Sequence, residues 1–268
     1  MTEQSLALTA PRPALPGGQR GATELQTMIV RALRLTLRNA DSLITALALP
    51  VMLMVMFVYF FGGAINVGTR YVDYVVPGVL LVCVGFGAGT TAVSVAADLR
   101  SGILDRFRSM DVRGESLIAG HVVASVARNL VSAALAVAVA FAIGYSSPAT
   151  AARWLEAGCL LALFVLAISW LAAAIAILVR SPEAAQGITF VISFLPYPSS
   201  AFVPVHTMPA WLRGFAANQP ITQVVDSLRA LLAGGSPGPQ AWHAVAWSLG
   251  IMIVSVALAG ALFRRRTR

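Results

Sequence analysis

The chain has 268 residues, 58% of them hydrophobic and 11% charged, with a formal net charge of +8 and a mean hydropathy of +0.79. Soluble domains carry about 25% charged residues, so this composition excludes a single water-soluble core and marks an integral membrane protein. The basic balance then reads as topology signal and head-group contact rather than nucleic-acid binding. All 19 basic residues are Arg, which excludes a Walker A loop with its phosphate-binding Lys.

Residues 1–23 hold Pro11, Pro13, Pro16, Gly17, Gly18 and Gly21 and read as a flexible cytoplasmic tail. Residues 24–41 follow as an amphipathic interfacial helix. Arg31, Arg34 and Arg38 share one face at helical spacing, with Leu25, Ile29, Leu33 and Leu37 opposite, the pattern of a helix lying on anionic lipid.

A spanning helix needs roughly 20 apolar residues. Within 43–263, six runs meet that need: 43–62, 75–96, 127–146, 155–179, 185–204 and 241–263. The third is the least clean at its start: His121, Arg128 and Asn129 place the beginning of its helix in the cytoplasm near Leu117. With the N-terminus inside, fifteen arginines fall on the cytoplasmic side. Only Arg70, Arg153, Arg213 and Arg229 fall outside, as the positive-inside rule demands. Both termini, including the basic tail 264–268, are then cytoplasmic. Tyr59, Tyr71, Tyr74, Tyr145, Tyr197, Trp154, Trp211 and Trp242 gather at the outer ends as an aromatic belt. The fold expected is all-α: six transmembrane helices, the N-terminal interfacial helix, and short outer amphipathic helices between spans five and six.

No span carries a carboxylate near its middle; the eleven acids lie in loops or near segment ends. Ion-driven carriers usually keep an ionisable group inside the bilayer, so energy for uphill transport is expected from a partner. The alternative, an ion-coupled secondary carrier or channel, has only Thr90, Thr91, Ser94, Ser132 and Ser169 as mid-membrane polar groups. No cluster of ionisable groups marks an enzyme. Cys83 and Cys159 lie in apolar runs, and His121, His206 and His243 are scattered, so no metal site is expected.

Two stretches exceed what a connector needs. In the inner segment 97–116, Leu99, Ile103, Leu104 and Phe107 gather on one side of a helix, with Asp98, Asp105 and Arg108 on the other and Arg106 at the margin. Four acids balance four arginines there, which suits docking to another protein through matched ion pairs. In the outer segment 205–238, Pro204, Pro209 and Pro220 cut the chain into short pieces. From Ile221, the positions Val224, Val225, Leu228, Leu231 and Leu232 recur at helical spacing. Asp226 and Arg229 can pair at i, i+3, and Gly234 and Gly235 end the helix. The segment reads as short amphipathic helices dipping into the outer leaflet.

These stretches carry a resemblance. The inner DLRSGILDRFRSM resembles the coupling segment of type-2 ABC exporter permeases, although Asp111 stands where that family places Pro. The outer stretch from Ser199 to Gly234 is similar to their signature, closest to the daunorubicin-resistance branch, through Phe202, Pro204, Met208, Pro209, Trp211, Leu212, Asn218, Pro220 and Arg229. The order of elements matches over 24–263. The resemblance implies a permease subunit of an ATP-driven exporter that moves a hydrophobic substrate outward: a drug, a lipid or a lipid-linked natural product. It implies two copies of an ABC ATPase, which bind ATP and Mg that this chain does not bind, and a second permease, identical or related. It assigns ATPase docking to Asp98, Arg100, Gly102, Asp105, Arg106, Phe107 and Arg108. It also places the first, second and fifth spans along the dimer interface and the route.

Overall fold

The computed structural model describes residues 26, 27, 29–31, 34, 48, 51–65, 67–101, 114–179 and 181–266. Arg38, Gly102, Asp105, Arg106, Phe107 and Arg108 lie outside them, as do the tail 1–23 and the start of the first span. Among the described residues every regular element is helical. The positions described between 26 and 34 are helical. Then come α1 (Val51–Phe61), α2 (Tyr71–Arg100), α3 (Gly114–Ala142), α4 (Ala151–Leu178) and α5 (Pro182–Phe194). Two short helices follow, α6 (Ala210–Asn218) and α7 (Pro220–Leu232), and α8 (Gly238–Arg266) closes the chain.

Among the described residues, four helices are long and apolar enough to cross a membrane: α2, α3 from Ser116, α4, and α8 to Arg264. The second span exceeds the expected 75–96 at both ends. Arg70, just before α2, pairs with Asp73 in its first turn at 3.0 Å. It also donates to the Gly144 carbonyl and the Ser146 hydroxyl, each at 2.8 Å. This clip ties the start of α2 to the chain leaving α3, so the two helices run antiparallel. Below we call this the Tyr71 end of the bundle and the opposite one the Asp98 end. Thr150 caps α4 by accepting from the Arg153 amide. Ser181 caps α5 from the Ala184 amide, with Pro182 in the first turn, where its missing N–H costs nothing.

The fifth apolar run differs from its expected length. Its helix stops at Phe194 after 13 residues, about 20 Å of rise against the roughly 30 Å of a hydrocarbon core. Pro196 and Pro198 withdraw two amide donors from the ladder, and residues 195–203 turn back instead. The Ser199 hydroxyl donates to the Pro196 carbonyl, so a side chain replaces part of what the helix loses.

Helix α2 is central and packs against α3, α4, α5 and α7. Two of its glycines set how close its neighbours come. A Cβ on Gly78 would stand 2.5 Å from the Ala201 carbonyl oxygen, and one on Gly85 would stand 2.8 Å from the Ser193 Cα. Both clashes are with backbone, so only a bare Cα lets α5 and the following turn lie this close. The apolar stripe of α7 is also buried: Ile221, Val224, Val225, Leu228, Leu231 and Leu232 are all in the core. Its amphipathicity is spent on protein, since α7 packs on α2, α4 and α8, and not on the outer leaflet. The aromatic belt divides likewise. Tyr59, Trp211 and Trp242 are exposed, whereas Tyr71 and Tyr145 are buried.

Candidate functional site

Three polar levels interrupt the apolar bundle. At the Tyr71 end, α7 brings Arg229 against α2 and the 195–203 turn. Its guanidinium lies 3.8 Å above the Tyr74 ring and pairs with Asp226 at 2.6 Å. It donates to the Ser200 carbonyl at 2.7 Å and to the Tyr74 carbonyl at 3.2 Å. The Tyr74 hydroxyl donates to the same Ser200 carbonyl at 2.9 Å, and the Ser200 hydroxyl donates to Asp226 at 2.7 Å. The planar fork with its stacking face serves all these partners at once, which a Lys could not do. Phe202 stacks on Phe57 of α1 at 4.1 Å, and its carbonyl accepts from the Tyr71 hydroxyl at 3.2 Å.

The other motif residues shape this cap. Pro204 precedes the single turn Val205–Thr207, Pro209 precedes α6, and Pro220 opens α7. Met208 is buried, while Trp211 stands 80% exposed, an apolar group left for a surface other than this chain. The Asn218 side chain donates to Gly214 within α6. The structure thus brings Phe202, Asp226 and Arg229 into one node and gives the prolines, Trp211 and Asn218 local roles.

At the Asp98 end, one oxygen of Asp98 meets Arg31 Nη1 and His121 Nε2, each at 3.0 Å. One carboxylate therefore joins the N-terminal helical stretch, α2 and α3. Arg31 of the interfacial face is engaged this way, and Arg34 is exposed. Arg100 approaches Glu183 of α5 at 4.0 Å across exposed side chains, a weak pair. Glu183 sits in the first turn of α5, where its own backbone amide and then the Ser181 hydroxyl hold its carboxyl below the usual range.

Between these ends lies a level that the hydropathy pattern concealed. Arg128 stands halfway along α3, about 20 Å from either terminus of that helix. Its Nη2 donates to Thr91 Oγ1 at 2.8 Å and to the Gly87 carbonyl at 3.2 Å, midway along α2. Its Nε is buried with no acceptor among the described residues. Below it, Thr91, Ser125 and Ser169 link α2, α3 and α4 by hydroxyl bonds of 2.7 and 2.9 Å. Asn129 is buried and donates back to the Ser125 carbonyl at 2.9 Å. It occupies the space that Gly87 leaves: a Cβ there would stand 2.0 Å from Asn129 Oδ1. Thr90 and Ser94 bond their own helix.

A signal for this level exists. Gly87, Thr91, Ser94 and Asp98 recur at steps of four, three and four along α2, and His121, Ser125, Arg128 and Ser132 do so along α3. Antiparallel packing then sets Asp98 against His121, Thr91 against Ser125, and Gly87 against Arg128. The two stripes form one polar seam from the Asp98 end to the middle of the bundle. A charge at the centre of a spanning helix costs roughly 2.5–3.5 kcal/mol by insertion scales, so it persists where it has a task.

A family model described as ABC-2 type transporter matches residues 23–233 of the chain, an interval that contains all three polar levels. The daunorubicin resistance ABC transporter permease protein DrrB1 of Streptomyces coeruleorubidus is 26% identical over 262 residues, covering 95% of this chain and 93% of that protein. The protein named "Probable doxorubicin resistance ABC transporter permease protein DrrC" of Mycobacterium tuberculosis is 24% identical over 275 residues, covering 98% of this chain and 97% of its own length.

Proposed function

This chain belongs to the ABC-2 type transporter family, and we propose that it works as one of two permease subunits, identical or related, driven by two ABC ATPases that bind ATP and Mg. As a multi-pass permease of an ABC exporter it moves a hydrophobic substrate across the cell membrane; the relatives' names place drugs among the candidates. α1 and α5 complete six spans, α5 through its turn, with both termini cytoplasmic and the Asp98 end inside. The segment 97–113 receives the ATPase, with Asp98 and Arg100 at its base. Closure of the ATPases then tilts the spans that meet there.

The family match across both motif stretches carries this reading. The clustering of charge at the Asp98 end supports it, since Arg31, Asp98, Arg100, His121 and Glu183 meet there from four parts of the chain. A push at that end reaches α2, α3, α5 and the N-terminal stretch together. The ion-coupled alternative gains nothing from the seam. At mid-bundle its charged group is Arg128, and a guanidinium stays protonated; its titratable pair, Asp98 and His121, stands at the Asp98 end.

The test is co-purification with a candidate ABC ATPase in lipid, comparing the unmodified chain with Arg106→Glu, Phe107→Ala. The unmodified chain is expected to form a stable complex with stimulated ATP hydrolysis, and the double variant to lose both. A variant that binds and stimulates normally would sink the docking assignment.

A further inference from the structure

We propose that α2 carries a hinge at residues 85–91, about which its Asp98 half swings while its Tyr71 half stays fixed. The proposal rests on the exporter reading for what drives the swing. The hinge itself stands on the helix and its neighbours.

Three features of α2 change at the same place. The first is burial. From Val75 to Gly85 every residue is buried, so that half is enclosed on all sides. Beyond it Phe86, Thr90 and Val93 are half-buried, and Ser94 and Ala97 are exposed. These five share one side of the helix, so the Asp98 half has an open flank toward which it can move. The second is the backbone. Gly85, Gly87 and Gly89 stand at alternate positions, and glycine holds a helix weakly. Packing accounts for two of them, since a Cβ on Gly85 or Gly87 meets Ser193 or Asn129. It does not account for Gly89, where a Cβ would make only an ordinary contact with Thr189 Oγ1 at 3.5 Å. The third is the pairing of the Gly87 carbonyl. It accepts from the Thr90 hydroxyl at 2.9 Å and from Arg128 Nη2 at 3.2 Å, and the Thr91 hydroxyl stands within 3.0 Å of it. The helix ladder offers this oxygen the Thr91 amide. With side-chain donors at hand it stays paired when that bond lengthens. Such competition is what bends helices, and it removes part of the penalty for opening a backbone bond in an apolar setting.

The two halves are anchored to match. The Tyr71 half is tied to the 195–203 turn by the Tyr71 and Tyr74 hydroxyls and by the close approach of Gly78 to Ala201. The hydroxyls of Thr91, Ser125 and Ser169 join α2, α3 and α4 at the level of the hinge and serve as its fulcrum. The Asp98 half is held at its far end to Arg31 and His121, so the N-terminal stretch and the start of α3 travel with it. About 20 Å of helix lies between Gly87 and Arg100, so a bend of about 15° moves the Asp98 end by about 5 Å. A force on the docking segment then displaces that end alone, and the Arg229 node at the other end stays closed.

The experiment measures spin-label distances by pulsed electron resonance on the full chain in lipid nanodiscs, with Cys83→Ala and Cys159→Ala as background and no ATPase present. An inner pair, Ala97→Cys with Leu178→Cys, reports the Asp98 ends of α2 and α4. An outer pair, Thr69→Cys with Ala152→Cys, reports their opposite ends. All four positions are exposed. The inner pair is expected to show two distances about 5 Å apart, and the outer pair one. Gly89→Ala should collapse the inner pair to one distance without lowering the thermal midpoint. Thr90→Val, which removes a competing hydroxyl at nearly equal volume, should shift the two populations toward one. Gly158→Ala stiffens α4 instead and should leave both pairs unchanged. The proposal is overturned if the inner pair of the background chain shows one distance as narrow as the outer pair, a result that needs no further variant to fold. A split in both pairs overturns it as well, since α2 then tilts as one rod. So does an inner split that survives both Gly89→Ala and Thr90→Val, which puts the bend elsewhere. The expected pattern in a chain that forms no ATPase complex would refute the exporter reading and leave the hinge standing.

Discussion

Among single residues, Arg229 has the most partners to lose. Its charge is spread over Asp226, two backbone carbonyls and the Tyr74 ring, and hydrogen bonds to charged groups contribute about 1.5–3 kcal/mol each before solvent screening. Asp226 is more than a third exposed, so the ion pair itself adds little. Arg229→Ala is expected to destabilise the folded protein by about 2 kcal/mol, read as a lowered thermal midpoint in detergent. Arg229→Lys should restore less than half of that, because an ammonium cannot stack on Tyr74 and serve two carbonyls together. Equal midpoints for Lys and Arg would show that charge alone matters at this position. The node was partly legible in sequence. The i, i+3 spacing on a periodic helix pointed to the Asp226–Arg229 pair, but nothing in the chain marked Tyr74 and Ser200 as its partners, which lie 155 and 29 residues away from Arg229. Arg128 misled for another reason. A charge near the edge of an apolar run reads as the water boundary, and its true depth depends on which helix lies beside it.

At the scale of elements, the glycines of α2 separate contact from propensity. Gly78→Ala drives a methyl into the Ala201 backbone and is expected to cost about 1–3 kcal/mol as overpacking. Gly158 on α4 has nothing within 4 Å of the added methyl, and Gly158→Ala should gain up to about 1 kcal/mol from helix propensity. Denaturation of the two variants side by side checks the pair. If both shift the same way, the close approach of the 195–203 turn to α2 is not what Gly78 provides. Helix positions themselves were largely readable: Pro204, Pro209 and Pro220 mark element starts, and Gly234, at φ 78°, follows the end of α7. What hydropathy could not show is which apolar faces meet protein. A stripe such as Val224, Val225 and Leu228 looks the same facing lipid or facing α4. Tyr71 and Tyr145 stand at helix ends as the belt pattern has them but are buried in protein, because a Tyr near a helix end suits an interface or a buried site with equal chemistry.

For the whole molecule, the arginine asymmetry of the sequence predicts that the Asp98 end faces the cytoplasm, and accessibility labelling tests it. With both native cysteines replaced by Ala, Ser236→Cys in the exposed link between α7 and α8 is expected to react with a membrane-impermeant maleimide on intact cells. Ser101→Cys, exposed just beyond α2, should react only after permeabilisation. The reverse pattern would invert the topology and, with it, the assignment of the docking end.

The 195–203 turn interrupts a helix inside an apolar bundle, and its backbone survives there by borrowing. The Ser200 carbonyl accepts from Arg229 and Tyr74, the Phe202 carbonyl from Tyr71, and the Ser200 amide donates to Thr222. Irregular backbone at membrane depth is tolerated only where protein or water satisfies it. These partners stand on α2 and α7, so a displacement of either helix against the other strips those peptide groups of their hydrogen bonds. Hydration of the bundle is therefore expected to start at this turn if the helices part.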